Sequence, residues 1–345
     1  MKIHQLLTLL CLSIVYVVWG STFFGVKLAL SGGLSPLFLI GLRFLGAGLV
    51  LYGLGRLRGG RVPHPREWAE AGALGFLLLV CGTGLVAWSQ QWVSSSLAAL
   101  LVATSPVWVT LLDPEQRLTG RRWLGLLLGL SGVGWLVGAS LTFDGISFLW
   151  GCLGCLLSAL AWAVGSLWSR SLKNDLSALS KAGMQMTLAS LFLLLFALLN
   201  EGAPLTHQIS SQAWWSLLYL TLLGSLVAFS AYTWLVANVS PAVVSTHAYV
   251  NPVVAVVLGA WLGGESLTPQ TGLAAATALA GVVVLMLPDP VAPRRDGPGL
   301  RLHVAERSWA VGFQSPTSAT KGKLRPLDSY RSKPAFLKAR DEAVS

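Results

Sequence analysis

Charge is scarce in this chain. Only 11% of its 345 residues are Asp, Glu, Lys or Arg, against roughly 25% in a soluble globular domain, so most of the chain cannot present a solvated surface. Cysteine is scarce too. The four present, Cys11, Cys81, Cys152 and Cys155, all lie inside apolar runs, which argues against the disulfide framework of a small secreted domain. Cys152 and Cys155 have Cys-x-x-Cys spacing but no second pair and no clustered histidine, so they read as packing residues and no metal site is expected. There is no GxxxxGK[ST] loop to hold ATP, no HExxH, and no pair of aspartates within an apolar run; an ATP-driven pump and an intramembrane hydrolase are both disfavoured. No motif implies a cofactor, and none implies nucleic acid.

Apolar residues are abundant, at 54% of the chain. They fall into ten runs, near 8–30, 36–55, 69–90, 95–112, 123–141, 146–168, 182–199, 213–237, 241–262 and 271–287. At ~1.5 Å per helical residue, about 20 apolar residues cross a ~30 Å hydrocarbon core. The expectation is an all-α membrane protein of ten transmembrane helices, its partner the lipid bilayer. The first run is too long for a signal-peptide core and nine like it follow, so it reads as a retained span. Loops after the second, fourth and sixth runs carry ten Lys or Arg, while those after the odd-numbered runs carry none. By the positive-inside rule both termini are expected in the cytoplasm.

The net charge of +10 is divided evenly. Residues 1–287 hold 13 basic and 8 acidic residues, and residues 288–345 hold 11 and 6. That last segment is broken by seven prolines and has no apolar period, so it is expected to be a disordered cytoplasmic tail.

The ten runs repeat. At an offset of 146, Trp88 falls on Trp234, Ser94 on Ser240 and Pro106 on Pro252. EQRLT (115–119) meets GESLT (264–268), Trp19 pairs with Trp162, Lys27 with Arg170, and GLRF (41–44) lies against GMQM (183–186). Each copy has five spans, an odd number, so the second enters the membrane from the opposite side. The halves, 8–141 and 146–287, are thus expected to form an inverted repeat with a substrate site near midplane. The copies differ at one point. After Pro106 the first reaches its Leu-Thr pair three residues sooner, with Asp113 and Pro114 in the gap, and Gln116 stands where the second copy has Glu265.

The runs at 19–48, 105–109 (SPVWV) and 239–268 (VSPAVVSTHAYVNPVVAVVLGAWLGGESLT) resemble the EamA-domain transporters of the drug/metabolite transporter superfamily, over about residues 8–287. That resemblance implies two inverted five-helix EamA repeats in a bacterial inner membrane. It also implies secondary transport, commonly export of amino acids, amines or other small metabolites. A passive channel or lipid flippase on the same architecture is the alternative. Oligomeric state is left open.

Ionisable residues within spans are costly and so are functional candidates. Lys27 and Arg43 lie toward the outer ends of the first and second spans, placed to draw in an anionic or zwitterionic substrate or to cap helix carbonyls. His247, in the ninth, is the one histidine within a span and the candidate for a coupling proton. No Asp or Glu lies at the centre of a span, which weakens the case for carboxylate-driven antiport. Polar and aromatic residues near midplane are candidates to line a small-molecule site: Trp19, Ser21, Thr22, Trp88, Ser105, Trp162, Gln185, Tyr232, Trp234, Tyr249 and Asn251. Pro106 and Pro252 are paired candidates for a hinge. Trp68, Trp92, Trp123, Trp214 and Trp215 sit at span ends and read as interfacial anchors. Gly125-xxx-Gly129, Gly134-xxx-Gly138 and Gly259-xxx-Gly263 offer small faces for helix contact.

Overall fold

The computed structural model describes residues 3–113, 119–172, 175–201, 208–239, 243–244, 246–265 and 268–287, without the side chains of 136–144 and 286. The expected tail, 288–345, lies outside these residues, as do Gln116 and Ser240. Among the described residues all regular structure is helical. The helices are α1 (Ile3–Ser31), α2 (Pro36–Leu57), α3 (Pro65–Ser89), α4 (Ser95–Leu112), α5 (120–144), α6 (Gly145–Ser171), α7 (Ala178–Asn200), α8 (Ser211–Asn238), α9 (His247–Trp261) and α10 (Pro269–Met286). Seven of them (α1–α4 and α6–α8) are long and apolar enough to cross a membrane; α9 and α10 are apolar but shorter.

Their starts are set by local chemistry. Ser94, Thr119, Ser177, Ser210 and Thr268 each accept a hydrogen bond from the backbone N–H three residues on, satisfying a donor that the first turn leaves free. The repeated Leu-Thr pair thus has a physical meaning, because its threonine caps α5 in one copy and α10 in the other. Proline follows the cap at Pro36, Pro65 and Pro269, where a missing N–H costs nothing.

α5 and α6 form one helical run, Gly120–Ser171, bent at Gly145, whose φ of 70° and ψ of −170° are open to glycine alone. Gly145→Ala should therefore lower stability by about 1–3 kcal/mol, although a Cβ there would meet nothing within 4 Å. Unfolding of the purified protein in detergent reads this directly, and an unchanged midpoint would contradict it.

Two helix pairs bring their backbones together. Along α2, Gly41, Gly48 and Gly55 stand seven residues apart and face Leu194, Thr187 and Ser180 on the antiparallel α7. A Cβ at Gly48 would come 2.6 Å from the Thr187 hydroxyl, and one at Gly183 would fall on the Tyr52 backbone nitrogen. Likewise Gly125 and Gly132 of α5 face Leu285 and Ala278 of α10, a Cβ at Gly281 of α10 would fall on the Gly129 backbone nitrogen, and Gly129 itself faces Val107 of α4. The Gly125-xxx-Gly129 face therefore packs within the bundle. Gly134 faces open space.

Three helices contain looser stretches of π-helix: Val15–Trp19 in α1, Phe76–Gly84 in α3 and Leu220–Val227 in α8. Such segments cluster at functional sites. The paired prolines behave differently from each other. Pro106 opens a new helical segment, Ser105–Leu112, after a break at Ala103 and Thr104, whereas Pro252 sits inside an unbroken α9.

Candidate functional site

The π segment of α8 gathers the most polar of the sequence candidates. Its Gly224 carbonyl accepts a hydrogen bond of 3.1 Å from the Trp19 indole N–H. The next residue, Ser225, accepts one of 2.8 Å from Arg43 Nε. A Cβ at Gly224 would stand 3.1 Å from both Arg43 Nη2 and Thr22 Cγ2, so a larger residue would have to displace one of these side chains. One turn of α8 thus joins α1 and α2 through two side chains that lie 24 residues apart in sequence.

Arg43 is only 7% exposed. Its Cζ lies 5.3 Å from the centre of the Phe44 ring. Among the described residues no carboxylate pairs with it. A buried guanidinium ordinarily has a counter-charge, so Arg43 is a functional candidate by its burial in an apolar bundle.

On the other side of Trp19 is an aromatic cluster. The Trp19 ring lies 5.0 Å from Tyr232 and 5.4 Å from His247, which are 5.8 Å apart; Phe229 follows at 6.5 Å from Tyr232. His247 Nδ1 is 2.8 Å from the Val244 carbonyl, a distance that fixes the ring orientation. Ser21 Oγ is 2.5 Å from Tyr219 Oη and donates to the Val18 carbonyl, and Thr22 donates to the Trp19 carbonyl. Below the cluster Tyr16 and Thr246 are joined through their hydroxyls. Among the described residues Asn251 Oδ1 is buried without a partner, and its backbone carbonyl lies beside Gly20. Trp19, Ser21, Thr22, Arg43, Tyr232 and His247 therefore form one constellation.

Other sequence candidates lie elsewhere. Trp88 stacks edge-on with Trp92 at 4.5 Å, against Gly154 of α6. Trp162 is 36% exposed, with its indole over Gly82 in the π segment of α3. Trp234 stacks on His4 at 5.6 Å, and the Ser105 hydroxyl donates to the Val102 carbonyl at 2.7 Å. Gln185 offers its backbone to the close approach of Gly75, and Tyr249 is half-buried on α9. Lys27 donates to the carbonyls of Gln90, at 2.7 Å, and Val93, at 3.2 Å, so it caps the end of α3. An apolar groove of about 710 Å³ between α3, α6 and α7, lined by Trp68, Phe76, Leu77, Trp168, Leu188 and Phe192, contains none of the polar candidates. Trp92, Trp123, Trp214 and Trp215 are exposed at helix ends, as anchors would be. Gly129-Leu130-Ser131-Gly132 has the spacing of a serine-hydrolase motif, but Ser131 is exposed on α5 and its hydroxyl donates to the Leu128 carbonyl at 3.1 Å.

Sequence reasoning missed Tyr219, Ser225 and Gly224. Nothing marks a serine or glycine in an apolar run as special until the π segment turns it toward Arg43.

Comparison with known proteins supplies the lineage. The model of the EamA-like transporter family matches residues 6–138 and 149–287. The chain is 36% identical over 292 residues to the uncharacterized inner membrane transporter YedA of Escherichia coli K12, covering 83% of this chain and 93% of that protein. It is 25% identical to an uncharacterized transporter of Synechocystis, covering 78% and 87%, and 25% identical to the uncharacterized transporter YoaV of Bacillus subtilis, covering 72% and 85%. A solved structure described only as a crystal structure of a protein aligns with a TM-score of 0.56 at 21% identity, over 81% of this chain and 96% of that one, and so shares the fold.

Proposed function

We propose that this chain, which belongs to the EamA-like transporter family, is a secondary carrier that exports small amphipathic metabolites bearing a carboxylate. Its ten helices act as two inverted five-helix halves, 8–141 and 146–287, that rock around a central site, with both termini in the cytoplasm. The observation that carries this reading is Arg43, buried and without a carboxylate partner among the described residues, beside the Trp19, Tyr232 and His247 cluster. A guanidinium binds a carboxylate through two parallel N–H donors. The aromatic faces accommodate an apolar or cationic remainder. Amino acids satisfy both demands. Simple amines satisfy only the second and are repelled by Arg43, so they rank below amino acids.

The experiment is counterflow in proteoliposomes with a panel of labelled amino acids, amines and sugars, with and without a pH gradient. Saturable exchange of amino acids and accumulation against a gradient are expected. Flux that runs only downhill without saturation would sink the carrier reading in favour of a channel. Loss of accumulation when the pH difference is collapsed would assign a coupling proton, with His247 the residue to replace first.

Trp19→Phe keeps a ring in the cluster and deletes the donor to Gly224. One neutral hydrogen bond contributes about 1 kcal/mol net, so exchange affinity should fall roughly 5-fold. An unchanged concentration dependence would show that this bond does not shape the site.

A further inference from the structure

At the end of the bundle opposite the N-terminus, two carboxylates clasp helix starts. Glu265, in the connection from α9 to α10, accepts at one oxygen from the Ser95 N–H and hydroxyl, each at 2.7 Å. Its other oxygen accepts from the Ser96 N–H at 3.1 Å and from the Ser96 hydroxyl. Gly259 leaves room for this arrangement, because a Cβ there would fall on both the Glu265 carboxylate and the Ser96 hydroxyl. Glu201, at the end of α7, accepts from the N–H groups of Leu37 and Phe38 at the start of α2, at 3.0 and 3.3 Å. Free N–H groups at a helix start favour an anion. Alongside, the Lys27 ammonium ties α1 to the end of α3, and the Gln90 amide, fully buried, donates to the Phe23 carbonyl at 3.2 Å.

Both carboxylates come from the second half of the chain and both clasped helices from the first. The other end is joined by different chemistry. There Arg170 pairs with Asp113 at 2.9 Å, with more than half of the Arg170 side chain exposed, and Arg121 donates to the Leu287 carbonyl at 2.7 Å. The repeat itself carries the asymmetry, since Gln116 stands in the first copy where Glu265 stands in the second, and Pro241 and Ala242 stand where Ser95 and Ser96 do.

We infer that Glu265 and Glu201 are the outer gate of the carrier, closed in this structure, and that Asp113 with Arg170 is its inner counterpart. This assignment rests on the carrier reading. Opening the outer face requires the Glu265 carboxylate to exchange four protein donors for water, and the Ser95 and Ser96 amides to do the same. Burial pushes the Glu265 carboxyl upward, but the hydrogen bonds from Ser96 and Ser95 outweigh it and hold the group below its ordinary value, so the clasp is anionic at neutral pH.

The test needs no knowledge of the substrate. In the full chain with Cys11, Cys81, Cys152 and Cys155 replaced by serine, Thr22→Cys places a reporter thiol beside Gly224. A membrane-impermeant charged maleimide is then applied from the side opposite the N-terminus. Little labelling is expected with the gate intact. Labelling should rise by about tenfold or more in Glu265→Ala with Glu201→Ala, which remove several hydrogen bonds together, and stay low in Asp113→Asn. Unchanged labelling in a folded double variant would overturn the gate. Should that variant fail to fold, Ser95→Cys with Glu265→Cys gives a cross-link across the same contact. Oxidation should stop counterflow and reductant restore it; full turnover in the cross-linked protein would overturn the gate while leaving the carrier reading intact. Absence of counterflow in the parent protein would sink the carrier reading instead, and the labelling would still decide whether the outer face is sealed by these residues.

Discussion

Arg43→Gln is expected to abolish high-affinity exchange while the protein remains folded. The guanidinium is buried, is held through Nε by Ser225, and directs its remaining donors at no carboxylate among the described residues. In the bound state it would be half of a buried, hydrogen-bonded charge pair. Removing one member of such a pair costs about 2–5 kcal/mol, or roughly 30- to 4000-fold in affinity. Folding should suffer little, because glutamine can still hydrogen-bond to Ser225 and a lone buried cation is itself a burden on the apo protein. Arg43→Lys separates geometry from charge: an ammonium keeps the charge and loses the two-pronged donor set, so its affinity should fall between those of wild type and glutamine. Counterflow measured over a range of substrate concentrations, with a thermal melt in detergent, reads both effects. Wild-type exchange by Arg43→Gln would remove Arg43 from the site and with it the preference for a carboxylate.

The second large effect is structural. Gly183→Ala puts a methyl group onto the backbone of Tyr52, and Gly281→Ala puts one onto the backbone of Gly129. A side chain in the way can change rotamer, but a helix backbone cannot, so each substitution must push two helices apart. Overpacking of this kind costs about 1–3 kcal/mol. The two sites share no contact partner, so the double variant should lose the sum. Gly53→Ala and Gly134→Ala are the controls, since a Cβ at either meets nothing within 4 Å. Alanine is the better helix former by about 1 kcal/mol, so these should be neutral or stabilising. Equal destabilisation at all four positions in an unfolding titration would mean that close backbone contact is not what selects glycine on these helices.

Much of the architecture is legible from sequence because membrane insertion requires long apolar runs, and the helix ends are marked by capping Ser, Thr and Pro. The Gly125-xxx-Gly129 face and the repeated Leu-Thr pair could be read from spacing alone. The site was harder to read for a physical reason. A soluble helix announces its inner face by polarity, whereas a helix apolar all round does not, and successive residues differ by 100° about the axis. Trp19 and Trp162 correspond in the repeat, yet one is drawn into the cluster with His247 and the other lies over Gly82 with a third of its surface exposed. Pro106 and Pro252 also correspond, and one follows a helix break while the other does not. Asp113 stands out in the sequence only as part of the gap in the shortened copy, and the structure makes it the ion-pair partner of Arg170. Glu265 stands out in the sequence only as the counterpart of Gln116. Only the juxtaposition of the α9–α10 connection with the start of α4 shows that its four hydrogen-bond positions are filled.

The glycine seams bear on how such a molecule can move. Where α2 meets α7, and α5 meets α10, backbone touches backbone over several turns, with no intervening layer of side chains to repack. Sliding or rotation at these seams would drive main-chain atoms together, so each pair behaves as a stiff strut. α1, α3 and α8 differ from these struts, because in each the regular hydrogen-bond ladder gives way to its wider form. Two of those three helices, α1 and α8, also hold the aromatic cluster and the carbonyl that Trp19 grips. In the proposed carrier, a ligand at this site would bear on the helices that can deform, while the struts, each of which ties one half of the chain to the other, set the axis about which the halves turn.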